Sequence, residues 1–174
     1  MPLHSDTKEL LIFLRENPLI RQRIKAEPDN TLLYAGHFFT PIWIQIEADR
    51  KYDGLSAGKT ILPDVLKKIL LTGLPHRNLL EWVKQIDKVY PWNQNGYIAW
   101  RALSGIFASN ATGAVSFMIG SGVSKAEKKV FAATEISVLD RNPNIDKITK
   151  DIIQYYLKCI KEGKSDINLS LIRA

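Results

Sequence analysis

The stretch from Tyr97 to Gly120 limits the possible folds more than any other part of this 174-residue chain. Residues 97–110 repeat large apolar groups at helical spacing (Trp100, Leu103, Ile106, Phe107), interleaved with Ala102, Ser104, Gly105 and Ala108, which are small enough to let a neighbour approach closely. Gly113 ends that helix, and AVSFMIG (114–120) follows as a continuous apolar run, the pattern of a strand covered on both faces. After the surface loop SGVSKAEKK, the run VFAATEISVL (130–139) reads as a second strand. Apolar strands next to such a helix predict an α/β (α+β) fold with a small parallel sheet.

The first half of the chain is mainly helical. Residues 6–26 carry Leu10, Leu11, Phe13, Leu14, Ile20 and Ile24 at helical spacing, with Asp6 as the expected N-cap and Pro18 as a break. EPDN (27–30) is a turn signal, and TLLYAG (31–36) reads as a short buried strand that joins the sheet. An amphipathic segment from Phe39 to Lys51, a helix from Pro63 to Leu71 and another over 78–88 complete this lobe. YPWNQNG (90–96) is a loop, RNPN (141–144) a turn, and Asp146 caps a final helix over 148–161. The expected organisation is one domain of two lobes, helical over 1–95 and α/β over 96–160, with an irregular tail over 161–174.

Charge and cysteine content narrow the function classes. The 24 Lys and Arg against 18 Asp and Glu leave a net charge of +6, which favours an anionic partner. That surplus is dispersed, with Lys125, Lys128 and Lys129 as its densest cluster, and no helix bears a basic stripe with aromatics between, which argues against nucleic acid. The lone Cys159 excludes a disulfide-stapled scaffold and suits a reducing compartment. Charged residues interrupt the N-terminal apolar stretch, so neither a signal segment nor a membrane span is expected, and the expected location is cytoplasmic or a target-cell cytosol reached by a dedicated route. His4, His37 and His76 are scattered and form no ligand spacing, so no metal and no bound cofactor is expected. IGSGVS lacks the phosphate-loop pattern, and no serine sits in a nucleophile elbow.

Two residues stand out against this background. Glu135 lies in an otherwise apolar run, so its carboxylate either emerges on the solvent face of an edge strand or is buried with polar partners. Trp100 shares a helical face with Leu103 and Phe107, as a core residue would, or offers an aromatic wall to a ligand.

Their surroundings form an ordered set: Trp100, Ser104, Phe107-Ala108 and Ala111, then Val115 and Gly120-Ser121, then Phe131, Glu135 and Leu139. This set resembles the second half of the ADP-ribosyl cyclase and NAD glycohydrolase family, with its W-x3-S-x2-F-A-x2-A helix, its strand ending in G-S and its F-x3-E-x3-L segment. Thr31-Leu32-Leu33-Tyr34 is similar to the family's T-L-L-W strand, with Tyr34 at the aromatic position. The likeness covers about 40 contiguous residues and this upstream patch. The chain departs from the family in having Thr60-Ile61-Leu62-Pro63-Asp64 where T-L-E-D-T is usual, Ala35-Gly36 in place of Ser-Arg, and no disulfides.

The resemblance implies a two-lobed, cyclase-like fold and cleavage of the nicotinamide–ribose bond of NAD, with NAD as substrate and no further cofactor. Glu135 would stabilise the ribosyl cation, Trp100 and Tyr34 would flank the nicotinamide, and Ser104 would bond the ribose or a phosphate. Gly120 and Ser121 would line the pyrophosphate, Gly36 and Phe131 would contact the substrate, and Asp64, also on the substrate side, stands two positions beyond the missing acidic residue. Hydrolysis to ADP-ribose and nicotinamide is expected to dominate over cyclisation because Leu62 replaces that acid. A basic, disulfide-free NAD hydrolase would suit an NAD-depleting toxin or effector, with an acidic immunity or inhibitor protein as partner. The alternatives are a basic binding module without catalysis, directed at nucleic acid or acting as an inhibitor of another protein, and an endonuclease-type toxin.

Overall fold

The computed structural model describes residues 5–35, 59–71, 74–89, 97–119, 134–164 and 169–171. It opens with α1 (Ser5–Glu16) and α2 (Pro18–Arg23), separated at Asn17. Proline disfavours helical geometry in the residue before it, and Asn17 is accordingly non-helical, at φ −123° and ψ 74°. Asp6 falls inside the first turn of α1, not ahead of it as a cap, where its charge suits the helix dipole. Thr7, Leu10 and Leu14 form the buried stripe of this helix.

After the turn at 27–30, β1 (Thr31–Ala35) pairs in parallel with β4 (Val115–Ile119), in register from Thr31 opposite Val115 to Ala35 opposite Ile119. Val115 to Met118 are all buried, which explains the unbroken apolar run in sequence. The far edge of β4 is taken by β5 (Leu169–Leu171), antiparallel, with Phe117 opposite Leu171. Two sequence expectations are corrected here. The sheet is mixed instead of wholly parallel, and part of the supposedly irregular tail is its third strand.

The segment expected as a strand over 130–139 is the other correction of consequence. Its described part is helical: α6 (Ile136–Arg141), preceded by a wide turn at 134–135. Ile136 and Leu139 are buried three residues apart, so the apolar pattern is that of a helix face, and packing overrides the strand preference of the β-branched residues. Residues 130–133 lie outside the described residues.

Between β1 and the long helices come α3 (Leu62–Leu66), β2 (Leu70–Leu71) and β3 (Leu74–Asn78). The helix predicted to reach Leu71 ends early because β2 pairs antiparallel with β3. Then follow α4 (Leu79–Val89) and α5 (Tyr97–Ser109). The chain continues through α7 (Lys147–Lys161), capped by Asp146, whose Oδ1 accepts from the Thr149 amide at 2.9 Å. Leu10, Leu66, Ile86, Phe107, Phe117 and Ile153 belong to one continuous core, so the helical and α/β parts share an interior. The amphipathic segment at 39–51 and the loop at 90–96 lie outside the described residues.

Polar bonds tie the starts of β1 and β4 together. Asp29, at φ 67°, accepts from the Ala114 amide at 2.7 Å, and its own amide donates to the Thr112 carbonyl at 3.0 Å. Gly113, at φ +73°, lies so close that a Cβ there would collide with the Asp29 carboxylate. The Gly113 amide donates to the Asn144 carbonyl at 2.9 Å, and the Val115 amide donates to Thr149 Oγ1 at 3.1 Å. Asn142 is buried, and its Nδ2 donates to the carbonyls of Ala108, Ser109 and Ala111 at 3.0, 3.3 and 2.9 Å, closing the C-terminal end of α5. Replacing Asn142 by Ala leaves these acceptors short of a donor. We expect a loss of about 2–4 kcal/mol in urea unfolding; a loss below about 0.5 kcal/mol would show that this side chain does not hold α5 in place.

Candidate active site

Glu135 closes the wide turn ahead of α6, with α-helical dihedrals (φ −61°, ψ −43°) that carry its side chain inward. The residue is only 7% exposed. Ser104, in the second turn of α5, is buried and hydrogen-bonds the carboxylate, whereas Oε2 has no hydrogen-bond partner among the described residues. Burial raises the Glu135 pKa from the usual 4.5 to about 8, and the Ser104 hydrogen bond opposes that rise only in part. The solvent-facing alternative for Glu135 is thereby excluded.

Tyr34 stands near the C-terminal end of β1. Its phenol is pushed well above the ordinary range, first by burial and then by the negative charges of Glu135 and Asp64. Both carboxylates therefore lie within electrostatic reach of one ring. Asp64 occupies the first turn of α3 and sits 3.7 Å from Lys67, an exposed pair of little energetic weight. Leu62, at the position where the resembled family has its acid, is an apolar residue buried in the core.

Trp100 is half-buried and packs on the core, one turn before Ser104 on the same face of α5. It serves the core and retains an accessible part, so the two sequence alternatives are not exclusive. Its relation to Glu135 runs through Ser104. Gly36, Gly120, Ser121 and Phe131 lie outside the described residues.

Three further residues bear on Glu135. Arg101 Nε donates to Thr134 Oγ1 at 2.7 Å, and a Cβ on Gly105 would lie 3.3 Å from Thr134 Cγ2. The run of small residues on α5 was the sequence signal for this close approach; the identity of its partner required the fold. An apolar groove of about 460 Å³, lined by Leu11, Ile98, Arg101, Gly105 and Thr134 among others, occupies the other side of α5. Glu135, Ser104 and Tyr34 do not line it, so it is separate from the carboxylate site.

No group of His, Cys, Asp and Glu among the described residues could hold a metal ion. Among them, no helix is long and apolar enough to cross a membrane. The chain matches no family model, no curated protein and no solved structure.

A desolvated carboxylate with one hydroxyl donor and an adjacent aromatic ring is suited to stabilising a cation that forms beside it. It also weakens the fold in a definite pH window. Unfolded, Glu135 loses its proton near 4.5, whereas folded it keeps the proton to about 8, so stability falls as pH rises between these values. Glu135→Gln, which cannot ionise, should unfold like wild type at pH 4 and be more stable by on the order of a few kcal/mol at pH 9. Urea unfolding at both pH values checks this, and an unchanged difference between the two proteins would contradict it.

Proposed function

We propose that this chain hydrolyses the N-glycosidic bond between nicotinamide and ribose in NAD. The observation that carries the reading is the buried Glu135 carboxylate, held by Ser104 and within electrostatic reach of Tyr34. In the reaction the C1′–N bond breaks and its electron pair leaves with nicotinamide, which becomes neutral. Positive charge then gathers on the ribosyl ring, where the Glu135 carboxylate opposes it and accepts hydrogen bonds from the ribose hydroxyls. Water adds to C1′ and its proton passes to solvent, giving ADP-ribose.

The other groups have complementary roles in this reading. Tyr34 and Trp100 offer flat faces to the departing nicotinamide, and Ser104 holds the carboxylate while remaining available to a ribose hydroxyl. Asp64, within electrostatic reach of Tyr34, adds negative potential that favours the cationic nicotinamide end. Gly36, Gly120 and Ser121 follow the C-terminal ends of the two parallel strands in sequence, the usual position for a phosphate-bearing ligand in such sheets. With Leu62 directed into the core, hydrolysis dominates and cyclisation is minor. The net charge of +6 favours approach of the anionic dinucleotide and, for a chain acting as an NAD-depleting toxin in a cytosol, capture by an acidic neutralising protein.

Incubation with NAD followed by chromatography should give equal amounts of nicotinamide and ADP-ribose, with cyclic product in the minority. Intact NAD would contradict the reading. Glu135→Gln should lower kcat on the order of 100- to 1000-fold. Because the ionised carboxylate is the active form, kcat/KM should climb with pH and level off above about 8. The profile for kcat should lie at lower pH, since the cationic nicotinamide ring draws the proton off Glu135. A kcat/KM that falls with pH over this range would assign the opposite ionic form.

A further inference from the structure

We infer that Arg101 and Thr134 form a clamp between α5 and the turn before α6, and that this clamp holds Glu135 against Ser104 as a pair of positioning residues. Arg101 follows Trp100 and lies one turn from Gly105, while Thr134 immediately precedes Glu135. The 2.7 Å bond from Arg101 Nε to Thr134 Oγ1 therefore joins the helix that carries Trp100 and Ser104 to the turn that carries the carboxylate. Gly105 completes the arrangement from the same helix: with no side chain, it lets Thr134 Cγ2 settle against α5. A Cβ there would press on that methyl and push the turn outward by a few tenths of an ångström.

The wide turn has reason to need such a tie. Residues 134 and 135 sit at the end of a helix that is only six residues long, and their backbone lacks the regular ladder of an α-helix interior. Asn142 and Lys150 secure the other end of α6, where Lys150 Nζ donates to the carbonyls of Leu139 and Asp140 at 2.9 and 2.8 Å. The clamp does for the first turn what those residues do for the last. A carboxylate gains from being expelled into water, so without a restraint the turn would open in the direction that hydrates Glu135. A charge-assisted hydrogen bond from Arg101 opposes that opening. Thr134 and Arg101 border the apolar groove, which neither Glu135 nor Ser104 lines, so the clamp acts on the carboxylate through the turn that carries it.

The inference takes the proposed NAD chemistry as its setting, and its test carries one readout that does not depend on it. Thr134→Val keeps the shape of the side chain and removes the acceptor; Thr134→Ser keeps the acceptor and removes the methyl. In full-length protein with Glu135 labelled for NMR titration, Thr134→Val should bring the Glu135 pKa down by about one unit or more as water reaches the carboxylate, and Thr134→Ser should leave it near wild type. With NAD, Thr134→Val and Arg101→Ala should lower kcat about tenfold or more with KM little changed, and Thr134→Ser should stay within about twofold of wild type. A side chain that only fills space would give the reverse ranking, with Val tolerated and Ser impaired. A Glu135 titration that does not move in Thr134→Val overturns the clamp whether or not NAD is consumed. A titration that moves while kcat stays at the wild-type value also overturns it. If wild type leaves NAD intact, the proposed reaction fails, and the titration alone then decides the clamp.

Discussion

A carboxylate removed from water with no cation beside it among the described residues is the interaction around which the rest of this molecule is arranged. Desolvating an unpaired carboxylate costs several kcal/mol, whereas a single hydroxyl donor returns about 1.5–3 kcal/mol. The balance at Glu135 therefore favours the protonated form, and its pKa rises to about 8. A glutamine would fill the same space without that conflict. Carboxylates left in this condition belong with sites where charge must be available at a chosen moment, which in the proposed reaction is when a cationic ring or a ribosyl cation is brought beside them.

The scaffold gives this conflict a place. Asp29, Gly113, Asn144 and Thr149 tie the starts of β1 and β4 to each other and to α7, so one end of the parallel pair is fixed by short polar bonds. Tyr34 emerges near the opposite end, where the strands lead towards Gly36 and Gly120. The long α5 packs against α1, α4 and α6 with its C-terminal carbonyls closed by Asn142, so Trp100 and Ser104 project from a helix anchored at its far end. Short polar bonds gather at the strand starts, and Tyr34, whose phenol feels the charges of Glu135 and Asp64, stands toward the strand ends.

Much of this order was legible in the residues. Gly113 and the unbroken run after it marked β4, Pro18 marked the break between α1 and α2, and Asp146 marked the start of α7, because each of these signals is local. The misread elements depend on distant partners. Ile136, Val138 and Leu139 have strand-like side chains but face α5 and α7 as a helix, and the strand at 169–171 exists because β4 has an edge to fill. Asp29 and Asn142 looked like ordinary turn residues, since nothing in their neighbourhoods announces that their side chains bond backbone groups more than 30 positions away. At the site, Glu135 stood out as an acid among apolar neighbours and Ser104 as a polar group one turn after Trp100, whereas the bond between the two required the fold. Arg101 and Thr134 did not stand out, because a hydrogen bond spanning 33 residues leaves no periodic trace.

The most direct measurement is a crystal structure of the Glu135→Gln variant soaked with NAD. The dinucleotide should bind beside the C-terminal end of β1, with the nicotinamide ring between Tyr34 and Trp100 and the ribose hydroxyls within hydrogen-bond distance of residue 135. A dinucleotide bound in the groove on the far side of α5, or none bound at saturating concentration, would contradict it.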